Sequence, residues 1–484
     1  MEYDVLVVGA GVTGGMLARE LSKYQLSVCV VEKENDVAMG ATKANSGIVH
    51  GGYDPEPGTL KAKLNTEGVK LLFETAEELH VPYKRNGSMV CAFSAAEEPA
   101  IHELFMRGQK NSIPGLALLS GDQARELEPA LSHEVTLVLH VSNSGIICPY
   151  ELTIAALGNA MDNGVTLLRN FCVEKIHQEG NLFCVTAADG RRIRSRFLCN
   201  CAGGYADQIA DMAGDCIPPI IPRAGEYMLL DKSEGEIVSH TLFQVPTLEG
   251  KGILVTPTVD GNLLCGPTAT KVTDPEARDT TSTGLAMVSR LATKTVPGVD
   301  FRQVITSFTG VRASTAGGDF VIERSKSVPT LIHVAAIDSP GLTCCVSIAK
   351  HVTGLLEQAG LVLKEKSAWD GCRSDPHVFR KMSEEDKNRV IRREPAFGKI
   401  VCRCEMVSEG EILDALLRNP PALDLDGVKR RTRSGMGRCQ GGFCSPYVME
   451  LISRVNGIPM ESVTKSGPGS EMVTGRIGEA DDPA

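Results

Sequence analysis

The opening of the chain constrains its fold more than any other stretch. Tyr3-Asp4-Val5-Leu6-Val7-Val8 is an apolar, β-branched run of the kind found where both faces of a parallel sheet are covered. Gly9-Ala10-Gly11-Val12-Thr13-Gly14 follows as G-x-G-x-x-G, Met16 to Tyr24 reads as a helix, and a second strand from Leu26 to Val31 ends at Glu32. Each part has a mechanical purpose in holding a dinucleotide. Gly9, Gly11 and Gly14 permit a tight turn and close approach of backbone to a pyrophosphate. The helix start offers N–H groups to the anion, and Glu32, about twenty residues on, accepts from a ribose hydroxyl. A glycine-rich turn alone would say little. Strand, turn, helix and acid in this order predict a Rossmann-like unit.

Near the other end, Cys402-Arg-Cys404 and Cys439-Gln-Gly-Gly-Phe-Cys444 offer four thiolates at C-x-C…C-x4-C spacing. Their tight loops suit the ligand set of a [2Fe-2S] cluster. A structural four-cysteine zinc site is the alternative, although such sites usually pair cysteines as C-x2-4-C; chance clustering of buried cysteines is the third reading. A one-electron centre needs an electron source, and the dinucleotide site is a candidate. Five cations, Lys429, Arg430, Arg431, Arg433 and Arg438, stand beside the third cysteine. They read either as a solvated face or as charge that raises a cluster potential and guides an acidic partner.

The 484 residues are enough for two or three domains, and the net charge of −10 argues against nucleic acid as a partner. No apolar run approaches the roughly eighteen residues of a membrane span, and the N-terminus has no basic region or cleavage site. Of the sixteen cysteines, most outside the two pairs are scattered, as small buried hydrophobes in a reducing compartment would be. The expected location is the cytoplasm, with peripheral membrane association allowed.

Between the two ends, residues 40–53 are too rich in glycine and small polar residues for a regular element and read as a loop wrapped on something. Helices are expected over Thr59–His80, Tyr150–Asn163 and Cys344–Gln358, and strands near Thr166, Val173, Phe183 and Leu331. An apolar strand runs into Ala202-Gly203-Gly204, a second place where backbone can approach a nucleotide. Residues 218–308 change to short alternating runs with turns, as in an antiparallel sheet. The expected class is α/β with an α+β substrate domain. Residues 1–85, 145–217 and 318–362 form a discontinuous Rossmann-like domain, and 86–144 with 218–317 an antiparallel-sheet substrate domain. Residues 363–397 are a charged linker, 398–456 a small helical cysteine domain and 457–484 a fraying tail.

Together these stretches resemble the glycine oxidase, D-amino-acid oxidase and glycerol-3-phosphate dehydrogenase superfamily of FAD enzymes. Asn45–Asn65 resembles both the L-2-hydroxyglutarate oxidase branch and the anaerobic glycerol-3-phosphate dehydrogenase-like branch, and RAGEYMLLDK, KGILVTPTVDGNLLCGPTA, SFTGVRAS and DSPGLTCCVSIA make the latter the closer match. The C-terminal part is similar to the bacterioferritin-associated-ferredoxin-like [2Fe-2S] domain appended to that branch. The resemblance implies noncovalent FAD held by Gly9, Gly11, Gly14, Glu32, Thr42, Lys43, Asn45, Ser46, Ala202, Gly203, Gly341, Leu342 and Thr343, and a cluster on Cys402, Cys404, Cys439 and Cys444. It implies hydride transfer from a small anionic secondary alcohol to flavin N5, with Arg312 as anion anchor and His50 either as base or as a structural histidine hydrogen-bonded in the FAD shell. Arg223, Glu226 and Tyr227 match a further cavity-facing block. Glycerol 3-phosphate is the implied substrate. A 2-hydroxy acid such as L-2-hydroxyglutarate, an amine or amino acid, and a non-catalytic electron-transfer role are the alternatives. Redox partner subunits, flavoprotein or iron–sulfur protein, are the implied acceptors.

Overall fold

The computed structural model describes residues 1–246, 252–376, 378–473 and 475. Its contacts divide the chain into two units: Met1–Lys33 with Val37–Arg373, and Glu34–Asp36 with the chain from Ser374 onward.

In the first unit, β1 (Glu2–Val8) lies between β2 (Val28–Val31) and the strand Arg192–Asn200, parallel to both. Thr166–Leu168 extends the sheet beyond β2, and Leu331–Ala335 extends it beyond Arg192–Asn200, again in parallel. Side chains of β1 alternate between two cores. Val5 and Val7 face a core shared with α1 (Val12–Leu21), α2 (Leu60–Glu78) and the helices Pro149–Asp162 and Gly341–Gln358. Leu6 and Val8 face a second core with Phe171, Phe183 and Ile209. Cover on both faces is what the uninterrupted apolar run requires.

α1 starts at Val12, four residues before the expected Met16, and ends at Leu21 rather than Tyr24. Glycine is a poor helix former, yet here it lets α1 lie close to its neighbour: a Cβ on Gly15 would stand 3.2 Å from Leu157 Cγ. Tertiary packing overrides local propensity. β2 starts at Val28 rather than Leu26, because Ser27 is taken by Asp4, whose Oδ2 accepts from Ser27 N at 2.9 Å and Oγ at 2.8 Å.

A second sheet in the same unit joins Ser88–Ala92, Leu116–Ser120 and Leu137–Val141 to strands between Ile221 and Ser314. All its pairings are antiparallel except Thr241–Gln244 with Ser88–Ala92, which is parallel. The expected nucleotide and substrate parts are therefore two sheets of one compact unit.

The charged stretch 363–397, expected to be a linker, is structured. Its first part is a strap on α1: Lys366 N donates to Lys23 O at 2.8 Å, Trp369 Nε1 to Ser22 Oγ at 3.1 Å, and Arg19 Nη2 to Gly371 O at 2.9 Å. Its second part includes the helix Glu384–Arg393, capped by Ser383. Low apolar content hid both, since hydrogen bonds and the single tryptophan hold the strap. Position 377 lies outside the described residues.

The second unit packs the helices Glu409–Leu417, Leu425–Thr432 and Ser445–Asn456 around Ile412, Val428, Leu451 and Ile452. The expected tail does not fray from 457: Val463 is fully buried, and Asp426 N donates to Lys465 O at 2.9 Å. Positions 474 and 476–484 lie outside the described residues. The cation run is no solvated face. Arg430 and Arg433 are 5% and 6% exposed, Arg433 pairs with Glu405 at 2.9 Å, and only Arg438 of the five is exposed. Asp36, 2% exposed, takes Arg430 at 2.7 Å and Arg431 through both of its oxygens at 2.8 Å. Burial alone would raise the Asp36 carboxyl, but the charges and hydrogen bonds of Arg431 and Arg430 hold it well below the usual carboxylate range.

Removing one member of a buried ion pair leaves the other uncompensated. Asp36→Asn is therefore expected to cost about 3–5 kcal/mol, read as an earlier denaturant midpoint for the second unit. The folded-state pKa is depressed, so the stabilisation is full above the unfolded carboxylate range and is lost as pH falls below about 4. The variant's midpoint should accordingly converge with the parent's in acid.

Candidate functional site

The nucleotide cradle forms where β1 and Arg192–Asn200 end side by side, the switch point of a parallel sheet. Gly9 has φ +105°, and a Cβ there would meet Cys201 O at 2.4 Å; one on Gly14 would meet Gly9 O at 2.0 Å. These two glycines let strand, turn and helix come into backbone contact. Gly11 differs, since its Cβ would meet only Thr42 Oγ1, at 3.2 Å. As the cap residue of α1 it has no side chain to accept from the first-turn N–H groups, which leaves that end suited to an anion. Glu32 Oε2 accepts from Ala10 N at 2.8 Å and so fixes the turn it follows by one strand.

Residues 40–47 are braced against this cradle. Thr42 Oγ1 accepts from Val12 N at 3.0 Å, Asn45 Nδ2 donates to Thr42 O at 2.8 Å, and Asn45 Oδ1 accepts from Gly47 N at 2.8 Å. Lys43 Nζ approaches Met39 Sδ at 3.7 Å. Ala202 and Gly203 turn beside Gly9, Gly203 at φ +57° with no atom within 4 Å of the Cβ position. The cradle thus has the tight turn and open backbone that FAD needs. Cys199, Cys201, Cys344 and Cys345 are buried and their thiols pushed up by burial, so they serve as packing.

The residues expected to face a substrate sit on two long antiparallel strands, Ile221–Leu230 and Val304–Ser314. Arg223 lies opposite Arg312, Gly225 opposite Gly310 and Tyr227 opposite Phe308, all on one face because side chains alternate. Gly310 is where the cofactor loop touches this face: a Cβ would lie 1.8 Å from Ala44 O. The Tyr227 and Phe308 rings stack at 4.9 Å, and Tyr227 hydrogen-bonds Ser46. Arg312 Nη2 donates to Thr268 O at 2.9 Å. Burial raises the Tyr227 phenol, against the opposing effects of Arg312 and Ser46.

Glu226 does not join them. One residue out of phase, it points to the opposite face, where its carboxylate accepts from Thr281 N at 2.7 Å and Thr281 Oγ1 at 3.0 Å at the start of the helix Ser282–Thr295. Its surroundings are those of a structural brace.

His50 and the Gly341–Gln358 helix start come together. His50 N donates to Thr343 Oγ1 at 2.8 Å, His50 O accepts from Asn65 Nδ2 at 2.8 Å, and His50 Nε2 faces Ser339 Oγ at 3.2 Å. Asp338, just before, bonds Lys61 Nζ at 2.5 Å and Ser314 Oγ at 3.1 Å. Ser314 is two residues beyond Arg312, so both candidate residues lie on elements tied to the 338–343 turn. Gly341, Leu342 and Thr343 begin a helix with no side-chain cap. Ser339 was missed by sequence reasoning, which saw Ser339-Pro340-Gly341 only as a turn; a hydroxyl beside an uncapped helix start was the available signal.

In the second unit the four cysteines form two close pairs and no disulfide. Cys404 and Cys439 sulfurs are 3.5 Å apart, and Cys402 and Cys444 are hydrogen-bonded to each other. Backbone N–H groups of Glu405 and Gly435 point to Cys402, and those of Gly441 and Phe443 to Cys439, donors that stabilise thiolate charge. Among the described residues no three of these sulfurs lie mutually within 4.8 Å. A single tetrahedral zinc would need all four about 3.8 Å apart. Two separated pairs suit two irons. Cys402 and Cys444 are buried, whereas Cys404 is exposed, as are Arg403 and Met406 near it in sequence and Phe443, 88% exposed, next to Cys444 in sequence.

Residues 4–355 match the family model of FAD dependent oxidoreductases, and residues 400–454 match that of BFD-like [2Fe-2S] binding domains. The chain belongs to the FAD dependent oxidoreductase family. It is 43% identical over 474 residues, 98% of each chain, to a glycerol 3-phosphate dehydrogenase of Caloramator mitchellensis. A glycerol 3-phosphate oxidase of Mycoplasma genitalium is 34% identical over 377 residues, 76% of this chain and 97% of its own. The FAD-bound, dithionite-reduced L-alpha-glycerophosphate oxidase of Mycoplasma pneumoniae superposes with a TM-score of 0.74 at 32% identity, over 77% of this chain and 98% of its own. FAD and a [2Fe-2S] cluster are thus the cofactors of this oxidoreductase, and the zinc alternative falls. No helix among the described residues is long and apolar enough to cross a membrane.

A side chain at Gly9 collides with Cys201 O and occupies a left-handed conformation that costs about 1–2 kcal/mol even without the collision. Gly9→Ala should therefore retain FAD at least about tenfold more weakly, seen as a fall in flavin absorbance per chain after gel filtration. Anaerobic preparations of the parent should hold about two irons and two sulfides per chain. Stoichiometric zinc without sulfide would contradict the cluster.

Proposed function

We propose that this oxidoreductase is a glycerol 3-phosphate dehydrogenase that produces dihydroxyacetone phosphate and passes electrons through its cluster to a protein acceptor. What supports the reading is that His50 and the strand carrying Arg312 are both hydrogen-bonded to the 338–343 turn, at one helix start, where the proposal assigns His50 as base and Arg312 as anion anchor. The relative aligned over 98% of both chains supports it by its name, and the aligned oxidases leave about a quarter of this chain without a counterpart. L-2-hydroxyglutarate dehydrogenases are more distant in sequence: that of Caenorhabditis elegans is 28% identical over 73% of this chain and 92% of its own.

Bound FAD supplies the two-electron chemistry, accepting hydride from the carbon that bears the hydroxyl. His50 takes the hydroxyl proton at Nε2, the nitrogen turned toward Ser339, and the Thr343 and Asn65 bonds to its backbone hold it in place. Arg312 grips the phosphate with a planar guanidinium, already oriented by Thr268 O. Gly341, Leu342 and Thr343 open a helix with no side-chain cap, and with FAD bound their N–H groups would favour negative charge on the reduced ring. Cys402, Cys404, Cys439 and Cys444 would hold the cluster, which would supply one-electron transfer, and the exposure of Cys404 would give a protein acceptor a place to make contact.

Anaerobic mixing with glycerol 3-phosphate should bleach the flavin, whereas L-2-hydroxyglutarate and amino acids should not. Bleaching by a 2-hydroxy acid alone would overturn the substrate, and peroxide formed as fast as flavin is reduced would overturn the protein acceptor. His50→Asn is expected to slow flavin reduction by about 10²–10⁴-fold. Arg312→Ala is expected to weaken substrate binding by about 2–5 kcal/mol, read from the substrate dependence of the bleaching rate.

A further inference from the structure

One cross-strand position carries a cation on each of three neighbouring antiparallel strands. Arg312 is directly opposite Arg223, and Arg223 is directly opposite Lys271. Residues so paired project from the same face with Cα atoms about 4.5–5.5 Å apart, so the row spans about 10 Å. Like charges directly opposed destabilise a sheet, and this chain has fewer basic than acidic residues, 50 against 60. Every buried cation of the Lys429–Arg433 segment that forms an ion pair does so with a carboxylate at close range. By contrast, among the described residues none of Arg312, Arg223 and Lys271 has an ion-pair partner, and the polar contact of Arg312 is to a carbonyl.

The row also has a direction. Lys271 and Arg223 are exposed and Arg312 is half-buried. The same face continues inward from Arg312 to Gly310 beneath Ala44 and to Tyr227 against Ser46. An anion arriving from solvent meets two unneutralised charges before the one beside the cofactor loop.

We propose that Lys271 and Arg223 form an entry site for a phosphate dianion, capturing the phosphate end of the substrate and delivering it to Arg312. This rests on the reading that the substrate is a phosphate ester. Lys271 and Arg223 are positioning residues that act before chemistry. Steering by such a charge set raises association by about 10–10³-fold. Its reach at physiological ionic strength is about 8 Å, close to the length of the row, and shrinks to about 3 Å at 1 M salt.

The test uses the FAD-loaded full chain carrying Arg223→Gln, Lys271→Gln or both, with Arg223→Lys as the charge-conserving control. Both positions are exposed, and flavin content per chain reports folding. In anaerobic stopped-flow reduction by glycerol 3-phosphate, the double variant should lose about tenfold in second-order rate at low ionic strength. The loss should fall on that rate and not on the limiting rate at saturating substrate. It should vanish near 1 M salt, and Arg223→Lys should stay close to the parent. Titration of the oxidised holoenzyme with inorganic phosphate should show the same weakening, and this arm is independent of which substrate is oxidised. An unchanged second-order rate and phosphate affinity in the double variant at low salt overturn the entry site, as does a loss that persists equally at high salt. If glycerol 3-phosphate fails to reduce the parent, the substrate reading falls, and the phosphate titration alone decides the row.

Discussion

Backbone contact at the Gly9 turn is the constraint on which the first unit depends. With Cys201 O only 2.4 Å from where a Cβ would be, β1 and the strand Arg192–Asn200 can end together only if residue 9 has no side chain. That junction sets the switch point, aims the start of α1 at a pyrophosphate, and gives Glu32 its position through Ala10 N. Thr42 then hangs the 40–47 loop on the first turn of α1. Through Ala44 and Gly310 the loop meets the second sheet. Cofactor cradle and proposed substrate face are thus linked by a chain of close backbone approaches.

Charge is handled in two opposite ways. In the second unit, Arg430, Arg431 and Arg433 lie close to Asp36 and Glu405, and burial makes each pair expensive to break. On the sheet of the first unit, Arg312 and Arg223 have no carboxylate partner among the described residues, and Glu226, the acid nearest to Arg223 in sequence, is turned to the other face by the two-residue period of its strand. Neutralised cations build structure; cations kept unpaired remain available to an anion.

Two electron carriers of different kinds occupy separate units, a flavin that takes a pair and a cluster that moves one at a time. Cys402 and Cys444 are buried and Cys404 is exposed, so the proposed cluster site is covered on one side and open to solvent on the other. A reducible flavin needs no such relay to react with oxygen, which is why the architecture favours a protein acceptor.

The local signals determined a good deal by themselves. The strand–glycine–helix–acid order at residues 3–32 specified the nucleotide unit, and cysteine spacing specified a metal centre, because both depend on chemistry carried within short stretches of chain. Element edges were less legible: glycines inside α1 and the apolar-poor strap at 363–373 are stabilised by neighbours distant in sequence. Only the tertiary structure placed Ser339 against His50, turned Glu226 away from Arg312, set Asp36 among the arginines, and aligned Lys271, Arg223 and Arg312. Each of these is a matter of register or face, which long-range pairing decides and no single stretch of sequence encodes.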